Sequence, residues 1–164
     1  MPLYFAYGSN MDVAAMVKRC PRSTAIGPAR LIRHRLAVMR EGWLTATRDP
    51  RATVHGILWS LSLSDVPSLD RYESVASGLY QKALQAVATA TGPKRALVYF
   101  GANAGPGVPA RDYIEPIIAA ARQWGLPLAA LEAFLPQGPV ASVGERTLKE
   151  TRVRPRFATP FDRR

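Results

Sequence analysis

Residues 4–12 read "YFAYGSNMD", and this stretch decides how the fold is expected to begin. Four mostly bulky apolar or aromatic residues come first, which is typical of a strand buried on both faces. Gly8, Ser9 and Asn10 then suit a tight turn, and "MDVAAMVKR" has apolar residues at helical spacing. We therefore predict a strand over residues 3–7, a corner, and a helix that Asn10 caps with its side-chain carbonyl.

The corner is also a candidate binding site. Backbone N–H groups at the beginning of a helix have no partner within the helix, and the helix dipole adds partial positive charge there. Gly8 would let a ligand approach the backbone closely, while Ser9 and Asn10 add a hydroxyl and an amide. The loop lacks the lysine and further glycines of a phosphate-binding loop, which favours a small carboxylate over a nucleotide. The alternative is a plain turn in which Ser9 or Asn10 only caps the helix.

Several later stretches predict strands. Residues 25–39 and 53–62 are rich in strand-forming residues. Residues 42–50 indicate a short strand that ends in an Asp-Pro turn. Residues 79–102 are typical of a hairpin that turns at "TGPK". Most of these strands are expected to pair in the antiparallel sense.

Three stretches between and after these strands predict helices. They are residues 64–74, residues 110–125, which are amphipathic and bent or begun near Pro116, and residues 126–136. Strands with helices inserted between them indicate an α+β domain, with a closed or strongly curved, mostly antiparallel sheet and flanking helices. Such a sheet can enclose a small pocket.

Length and composition are those of one globular domain: 164 residues, 48% hydrophobic and 21% charged. No apolar run approaches the roughly 20 residues that cross a membrane, and no secretory signal pattern is evident. Cys20 is the single cysteine, so no internal disulfide can form, and a reducing, cytoplasmic compartment is expected. A catalytic role for Cys20 is not expected, because no partnered base is evident.

The formal net charge is +10, from 22 Lys and Arg against 12 Asp and Glu. Such an excess can attract nucleic acid, an anionic membrane or small anions. The basic residues fall mainly into two groups, which are Lys18, Arg19, Arg22, Arg30, Arg33 and Arg35, and Arg146, Lys149, Arg152, Arg154, Arg156, Arg163 and Arg164. Neither group has the interleaved aromatic residues on which bases stack. We interpret them as a solvated surface and a basic tail, and expect no nucleic-acid or membrane partner.

Three acids lie close together in the middle of the chain. Asp65 begins a predicted short helix and suits the positive end of its dipole. Asp70 is expected to be exposed or to pair with Arg71. Glu73 falls at the end of the helix, where the dipole does not favour a carboxylate. In an apolar site, Glu73 would exchange protons near neutral pH and suit a general acid/base, whereas the alternative is a glutamate that faces solvent.

Other catalytic chemistries have little support in the sequence. His34 stands between two arginines and His55 lies in a strand beside Gly56, with no nearby acids or cysteines to complete a metal site. We expect both histidines to be structural or on the surface, and His34 to be exposed. No serine stands in the "GxSxG" context of a nucleophile elbow.

Four segments together resemble one known family. "YFAYGSNM" resembles the YGSN signature of the γ-glutamylcyclotransferase family, which has the AIG2-like fold. "SLDRYESVASGLYQK" is similar to the segment that carries the family's catalytic glutamate. "GWLTATRDPRATVHGILWSLS" is similar to the Gly/Ala/Thr strand and the V-x-G-x-x-W strand, and "YIEPIIAAARQWGLPLAALEAFL" to the C-terminal helical region. On this ordered set the chain is identified as a member of the family over residues 3–137.

This resemblance implies a small closed β-barrel, no metal or organic cofactor, and an intramolecular reaction. In that reaction the α-amine of a γ-glutamyl group attacks its own γ-carbonyl, which yields 5-oxoproline and releases the attached amine or amino acid. Glu73 matches the catalytic glutamate and would move the protons as general acid/base. Ser74 follows it, where many relatives have glycine, so the local turn is expected to differ.

The resemblance also implies the substrate-binding residues. The backbone N–H groups of the signature loop would hold the substrate's carboxylate or polarise a carbonyl. Two tyrosines match those that line the family's site. The matching positions are Tyr7, Gly8, Ser9 and Asn10 in the loop, and Tyr80 and Tyr113 outside it.

We accordingly predict a γ-glutamylcyclotransferase-like domain over residues 1–137, with residues 138–164 as a basic C-terminal extension packed on it or trailing from it. The expected partner is a small γ-glutamyl molecule, and a homodimer stays open. One alternative is a cyclotransferase directed at γ-glutamylamines or glutathione. Another, of a different class, is a non-catalytic module that binds an anionic ligand or partner.

Overall fold

The first strand, β1, covers Leu3–Ala6, and Tyr4, Phe5 and Ala6 are buried, as the continuous apolar run predicts. The computed structural model describes residues 1–137. The other strands are β2 (Thr24–Val38), β3 (Leu44–Ser60), β4 (Tyr80–Thr89) and β5 (Gly92–Gly101). The α-helices are α1 (Val13–Arg19), α2 (Val66–Tyr72), α3 (Arg111–Gln123) and α4 (Ala129–Glu132), and 3₁₀ turns cover Ser9–Met11, Leu63–Asp65 and Val75–Ser77. The predicted extension, residues 138–164, lies outside the described residues.

The five strands close into a barrel in the order β1-β3-β2-β4-β5. β1 pairs antiparallel with β3 and parallel with β5, so that Tyr4 stands opposite Trp59 on one side and Leu97 on the other. All remaining pairs are antiparallel, and β2 meets β4 at Arg30 and Ala88. The predicted α+β class, with a closed, mostly antiparallel barrel and flanking helices, is confirmed.

β3 is longer than the sequence predicts, because the Asp-Pro pair does not end it. The register of pairing shifts here, since Ile32 of β2 pairs with Thr53 and His34 pairs with Arg48. Four residues of β3, 49–52, therefore lie opposite a single residue of β2. The Arg51 N–H donates to Asp49 Oδ1 at 2.9 Å, which is a local turn within the strand. Pro50 is tolerated in this bulge, where no ladder hydrogen bond is required of it. The predicted turn therefore exists as a bulge, and the prediction that the strand ends there is wrong.

The barrel core lies between the strands and α3. Gly56 lets β3 approach β1 closely, since a Cβ there would overlap the Ala6 carbonyl oxygen and the Phe5 ring. α3 buries Ile114 and Ile117 against the core and contains Pro116 within the helix. Within the described part of the chain, none of the helices combines the length and apolar character needed to span a bilayer.

Candidate active site

The corner after β1 differs in one respect from the prediction. The 3₁₀ turn Ser9–Met11 separates the strand from α1. Asp12 caps α1, because its Oδ1 accepts from the N–H groups of Ala14 at 2.9 Å and Ala15 at 3.4 Å. The prediction that Asn10 caps the helix is therefore wrong. The Asn10 side chain is available for a different role.

Asn10 reaches Glu73, which lies 63 residues further along the chain. Its Nδ2 is 3.1 Å from Glu73 Oε1 and 2.9 Å from the Tyr4 hydroxyl. Both side chains are deeply buried, with 2% of Asn10 and 5% of Glu73 exposed. Buried carboxylates need hydrogen-bond donors, because removal from water disfavours their charge. The alternative of a solvent-facing Glu73 is wrong, and the two most informative stretches of the sequence are in direct contact.

The end of α2 places Glu73. Its backbone N–H donates to the Leu69 carbonyl at 2.9 Å, which continues the helical pattern by one residue. Ser74 then adopts the left-handed conformation, with φ of 53° and ψ of 43°. Glycine adopts this conformation at little cost, whereas a residue with a Cβ atom adopts it with some strain. Ser74 therefore carries some backbone strain where the chain turns away from α2. The chain then passes through the turn Val75–Ser77 into β4 at Tyr80.

Glu73 and the corner bound a single cavity with about 320 Å³ of empty space, counting the part open to solvent. All seven site residues predicted from the sequence line it. The lining residues are Tyr4, Phe5, Tyr7, Gly8, Ser9, Asn10, Leu44, Glu73, Tyr80, Tyr99 and Tyr113. No Lys or Arg of residues 1–137 lines this cavity, so its donors are neutral groups.

Hydrogen bonds to the backbone hold three of the lining tyrosines in place. The Tyr7 hydroxyl donates to the Tyr99 carbonyl at 2.5 Å, and the Tyr80 hydroxyl donates to the Leu44 carbonyl at 2.6 Å. The Leu44 N–H donates to the Tyr113 hydroxyl at 3.0 Å. These bonds join the residue after β1 with β3, β4, β5 and α3 around the cavity, so hydrogen bonds between elements hold the cavity wall together.

The charge of Glu73 acts on the tyrosines around it. Burial raises the pKa of Tyr4 and Tyr7 well above the value of a free tyrosine, and the negative charge of Glu73 raises both pKa values further. Burial also raises the pKa of Tyr99, with contributions from its hydrogen bond to Asp70, from the charge of Asp70 and from Glu73. These three hydroxyls therefore stay protonated at neutral pH.

Sequence reasoning missed part of this wall. Tyr4 was assigned only to the buried strand, although its hydroxyl contacts Asn10. Tyr99 had no local signal, because only the pairing of β5 with β1 brings it to the cavity. Asp70 was expected to be exposed or to pair with Arg71, whereas it accepts from the Tyr99 hydroxyl at 2.7 Å and from Lys82 at 2.6 Å. The contacts of Asp70 join residues 12 and 29 positions apart, and that of Tyr4 crosses the corner after β1, so local pattern does not reveal them.

Neither histidine lies at the cavity. His34 is buried, stacks on Phe100 with ring centroids 5.7 Å apart, and contacts the Ile32 carbonyl through Nδ1 at 2.9 Å. The expectation that His34 is exposed is therefore wrong, because the ring packs on Phe100 and has a structural role. His55 is half-buried, and burial together with the charge of Arg30 lowers its pKa. Among residues 1–137 no three His, Cys, Asp or Glu side chains are grouped as metal ligands would be.

Comparisons with known proteins agree on one family. Residues 53–133 match the sequence model of the AIG2-like family. The chain is 31% identical to γ-glutamylcyclotransferase of Homo sapiens, over 87% of this chain and 84% of the human protein. It is 30% identical to the Mus musculus γ-glutamylcyclotransferase, over 90% and 88% of the two chains. A solved structure of a γ-glutamyl cyclotransferase superposes with a TM-score of 0.75 at 29% identity, over 89% of this chain and 93% of that one.

Proposed function

The chain belongs to the γ-glutamylcyclotransferase (AIG2-like) family, and on that premise we propose that it converts small γ-glutamyl compounds into 5-oxoproline and a free amino acid or amine. One observation supports the proposal most strongly. A buried carboxylate, Glu73, lies 3.1 Å from Asn10 of the signature loop, at a cavity bounded by that loop. An acid and neutral donors facing one small cavity are what the cyclisation requires.

The proposed reaction needs only proton transfers and acyl transfer. Glu73 accepts a proton from the substrate's α-ammonium, which frees the nitrogen lone pair. The amine attacks the γ-carbonyl carbon, so a carbon–nitrogen bond forms and the carbonyl oxygen takes up negative charge. As that intermediate collapses, the original amide bond breaks and the attacking nitrogen gives up a second proton. The leaving nitrogen takes up both protons, one of them through Glu73, so that the ring nitrogen of 5-oxoproline keeps one hydrogen and the amine departs as an ammonium. Atoms and charge balance without a co-reactant.

The depth of Glu73 suits this role. With 5% of the side chain exposed, its carboxylate has few competing water contacts, so a substrate ammonium would be its strongest partner. Asn10 donates to Oε1 and thereby fixes the direction of the carboxylate. The neighbouring Tyr4, Tyr7 and Tyr99 keep their protons and do not compete as bases.

The signature loop would hold the other end of the substrate. Since no cationic side chain of residues 1–137 lines the cavity, the substrate's carboxylate would meet neutral donors, namely the backbone N–H groups of Gly8, Ser9 and Asn10. Tyr80 and Tyr113 would bound the space for the bent glutamyl chain. Holding amine and carbonyl at reacting distance would supply much of the rate, because the two groups are already tethered.

The test is a substrate panel read by 5-oxoproline formation. We expect turnover of at least one of γ-glutamyl-alanine, glutathione and γ-glutamyl-ε-lysine, and none of α-glutamyl-alanine, which has no γ-amide to cleave. Preference within the panel identifies the leaving group and decides between the dipeptide, glutathione and γ-glutamylamine alternatives. Binding of these compounds without 5-oxoproline release would instead support the non-catalytic binding module.

We further propose that the protein works in the cytoplasm and that a homodimer is compatible with its function. Support for the compartment is the single cysteine, Cys20, which is buried and unpaired with another thiol. Sedimentation equilibrium measures the oligomeric state directly. Localisation of a tagged protein in its native cell tests the compartment.

A further inference from the structure

Arg19, the last residue of α1, contacts the side chain that holds Glu73. Its guanidinium Nη1 donates to Asn10 Oδ1 at 2.5 Å, and its Cζ lies 3.7 Å from the centroid of the Tyr72 ring. The Arg19 side chain is half-buried and does not line the cavity. Its position is therefore behind the site, where it can act on a substrate only through other residues.

The chemistry of arginine fixes the orientation of the Asn10 amide. A guanidinium only donates hydrogen bonds, so the amide oxygen must face Arg19. The two hydrogens of Nδ2 are then directed at the Tyr4 hydroxyl and at Glu73 Oε1. A flipped amide would place Oδ1 against the carboxylate and Nδ2 against the guanidinium, and both contacts would be repulsive.

We propose that Arg19 is a positioning residue, which through Asn10 holds the Glu73 carboxylate in the direction that proton transfer requires; this inference rests on the proposed cyclotransferase function. The chain of contacts runs from a permanent cation to a neutral amide and on to the catalytic acid. A bond from a charged donor is stronger than one between neutral groups, so the cation sets the orientation of the whole chain.

A second set of contacts keeps Arg19 in place. Tyr72 immediately precedes Glu73, and its hydroxyl is 2.7 Å from Ser9 Oγ of the loop. The Ser68 hydroxyl of α2 donates to the Arg19 carbonyl at 2.8 Å. Stacking on Tyr72 and the bond from Ser68 thus join the end of α1 to α2, the helix that Glu73 directly follows. Arg19 lies where the loop and the glutamate segment meet.

The first test is Arg19→Met, which keeps most of the apolar stem and removes the donors. We expect kcat to fall about tenfold to a hundredfold, as for loss of a hydrogen bond to a charged group, with KM changed less than about threefold. Lys18→Met, an exposed cation one residue earlier on α1, is the matched control and should leave kcat unchanged. Arg19→Lys, which retains a cationic donor, should recover part of kcat.

A double-mutant cycle tests whether Arg19 acts through Asn10. If it does, Arg19→Met should change kcat by less than about twofold when added to Asn10→Ala. A full additional loss in the Asn10→Ala background would overturn the inference, as would a KM effect without a kcat effect. Melting curves verify that each variant is folded, and Arg19→Gln, which cannot extend as far as arginine, replaces Arg19→Met if the latter does not fold.

A spectroscopic measurement keeps this inference separate from the proposed function. In ¹⁵N-labelled protein the Asn10 side-chain amide, assigned from its loss in Asn10→Ala, should give two distinct, slowly exchanging proton signals. In Arg19→Met these should broaden or exchange faster, and in Lys18→Met they should not. Unchanged signals in Arg19→Met would overturn the positioning role. Absence of turnover in the wild-type panel would overturn the proposed function, and the amide signals would still decide the role of Arg19.

Discussion

Asp65 and Glu73 are two carboxylates of one segment, each 5% exposed, and they are held in different ways. Asp65 Oδ2 accepts from the Arg22 N–H at 2.9 Å and from the Ser23 hydroxyl at 2.8 Å. These donors belong to the loop after α1, so Asp65 fastens that loop to the start of α2. Glu73 instead meets the side chain of Asn10 at the edge of a cavity. The two acids are therefore equally buried, but Asp65 bonds to a neighbouring loop and Glu73 borders a cavity.

The difference teaches that depth alone does not identify a catalytic acid. Asp65 accepts hydrogen bonds from a backbone N–H and a hydroxyl of the loop after α1. It does not line the cavity. Glu73 faces the space where a substrate would bind. We therefore expect mutations at Asp65 to affect stability and mutations at Glu73 to affect turnover.

The largest expected effect is on turnover. Glu73→Gln keeps the size of the side chain but removes the proposed base, so 5-oxoproline formation should fall about 10³-fold. Asp65→Asn, measured on the folded fraction, should change kcat/KM less than about threefold. Rates with γ-glutamyl-alanine and unfolding curves of both variants measure this contrast. Activity retained in Glu73→Gln, or lost in folded Asp65→Asn, would show that the two roles are assigned wrongly.

The next effect is on the free energy of unfolding. Asp65→Ala leaves the Arg22 N–H and the Ser23 hydroxyl without their acceptor, which should cost about 3 kcal/mol. Asp65→Asn retains an acceptor oxygen and should cost less than Asp65→Ala. Urea denaturation of both variants, with Glu73→Gln for comparison, gives the three values. A loss in Glu73→Gln as large as that in Asp65→Ala would remove the distinction between the two acids.

A smaller effect concerns Cys20. Burial raises the pKa of the Cys20 thiol to about 11, the charge of Asp65 adds to this, and Arg19 opposes it. A thiol that keeps its proton longer when folded contributes stability below its unfolded pKa, and that stability is lost as pH rises toward 11. Asp65→Asn should lower the Cys20 pKa, while Glu73→Gln should leave it unchanged. NMR titration of ¹³Cβ-labelled cysteine measures the Cys20 pKa in both variants. Equal changes of this pKa in the two variants would contradict the conclusion that Asp65 is the carboxylate that acts on Cys20.

The smallest effect is at the residue after Glu73. Ser74 is left-handed, whereas Asp65 leads directly into α2 without such a reversal. Ser74→Gly should raise the free energy of unfolding by up to about 1 kcal/mol, because relief of strain outweighs the added chain entropy. Ala76→Gly, in the exposed turn that follows, should lower it by about 0.5–1 kcal/mol. Denaturant unfolding decides, and destabilisation by Ser74→Gly would mean that the serine side chain is required there.

The sequence predicted the barrel well because its signals were local. Alternating and continuous apolar runs indicated the strands, and the turn signal "TGPK" indicated the hairpin of β4 and β5. The Asp49-Pro50 pair was misread, since a proline can stand in a bulge as well as at the end of a strand. The local sequence does not indicate whether such a proline will lie in a bulge or end the strand, because the pairing with β2 decides this.

For the site, the sequence and the family resemblance together indicated seven lining residues but not how they are connected. Asn10 is a good helix cap by residue type, and only the structure shows that Asp12 takes this place. The contact between Arg19 and Asn10 was not predictable, because a basic residue at the end of a helix is ordinarily explained by the dipole.

The parallel pairing of β1 with β5 has a consequence for how the protein is made. β1 is translated first, yet its place in the barrel needs both β3 and β5, and Tyr99 of β5 forms part of the cavity wall. A ribosome-bound chain that ends before β5 would already contain Glu73 and the signature loop but would lack Tyr99 and Tyr113 from the cavity wall. We therefore expect catalytic competence to arise only after β5 and α3 have been made, and a chain that stops before them to show no partial activity.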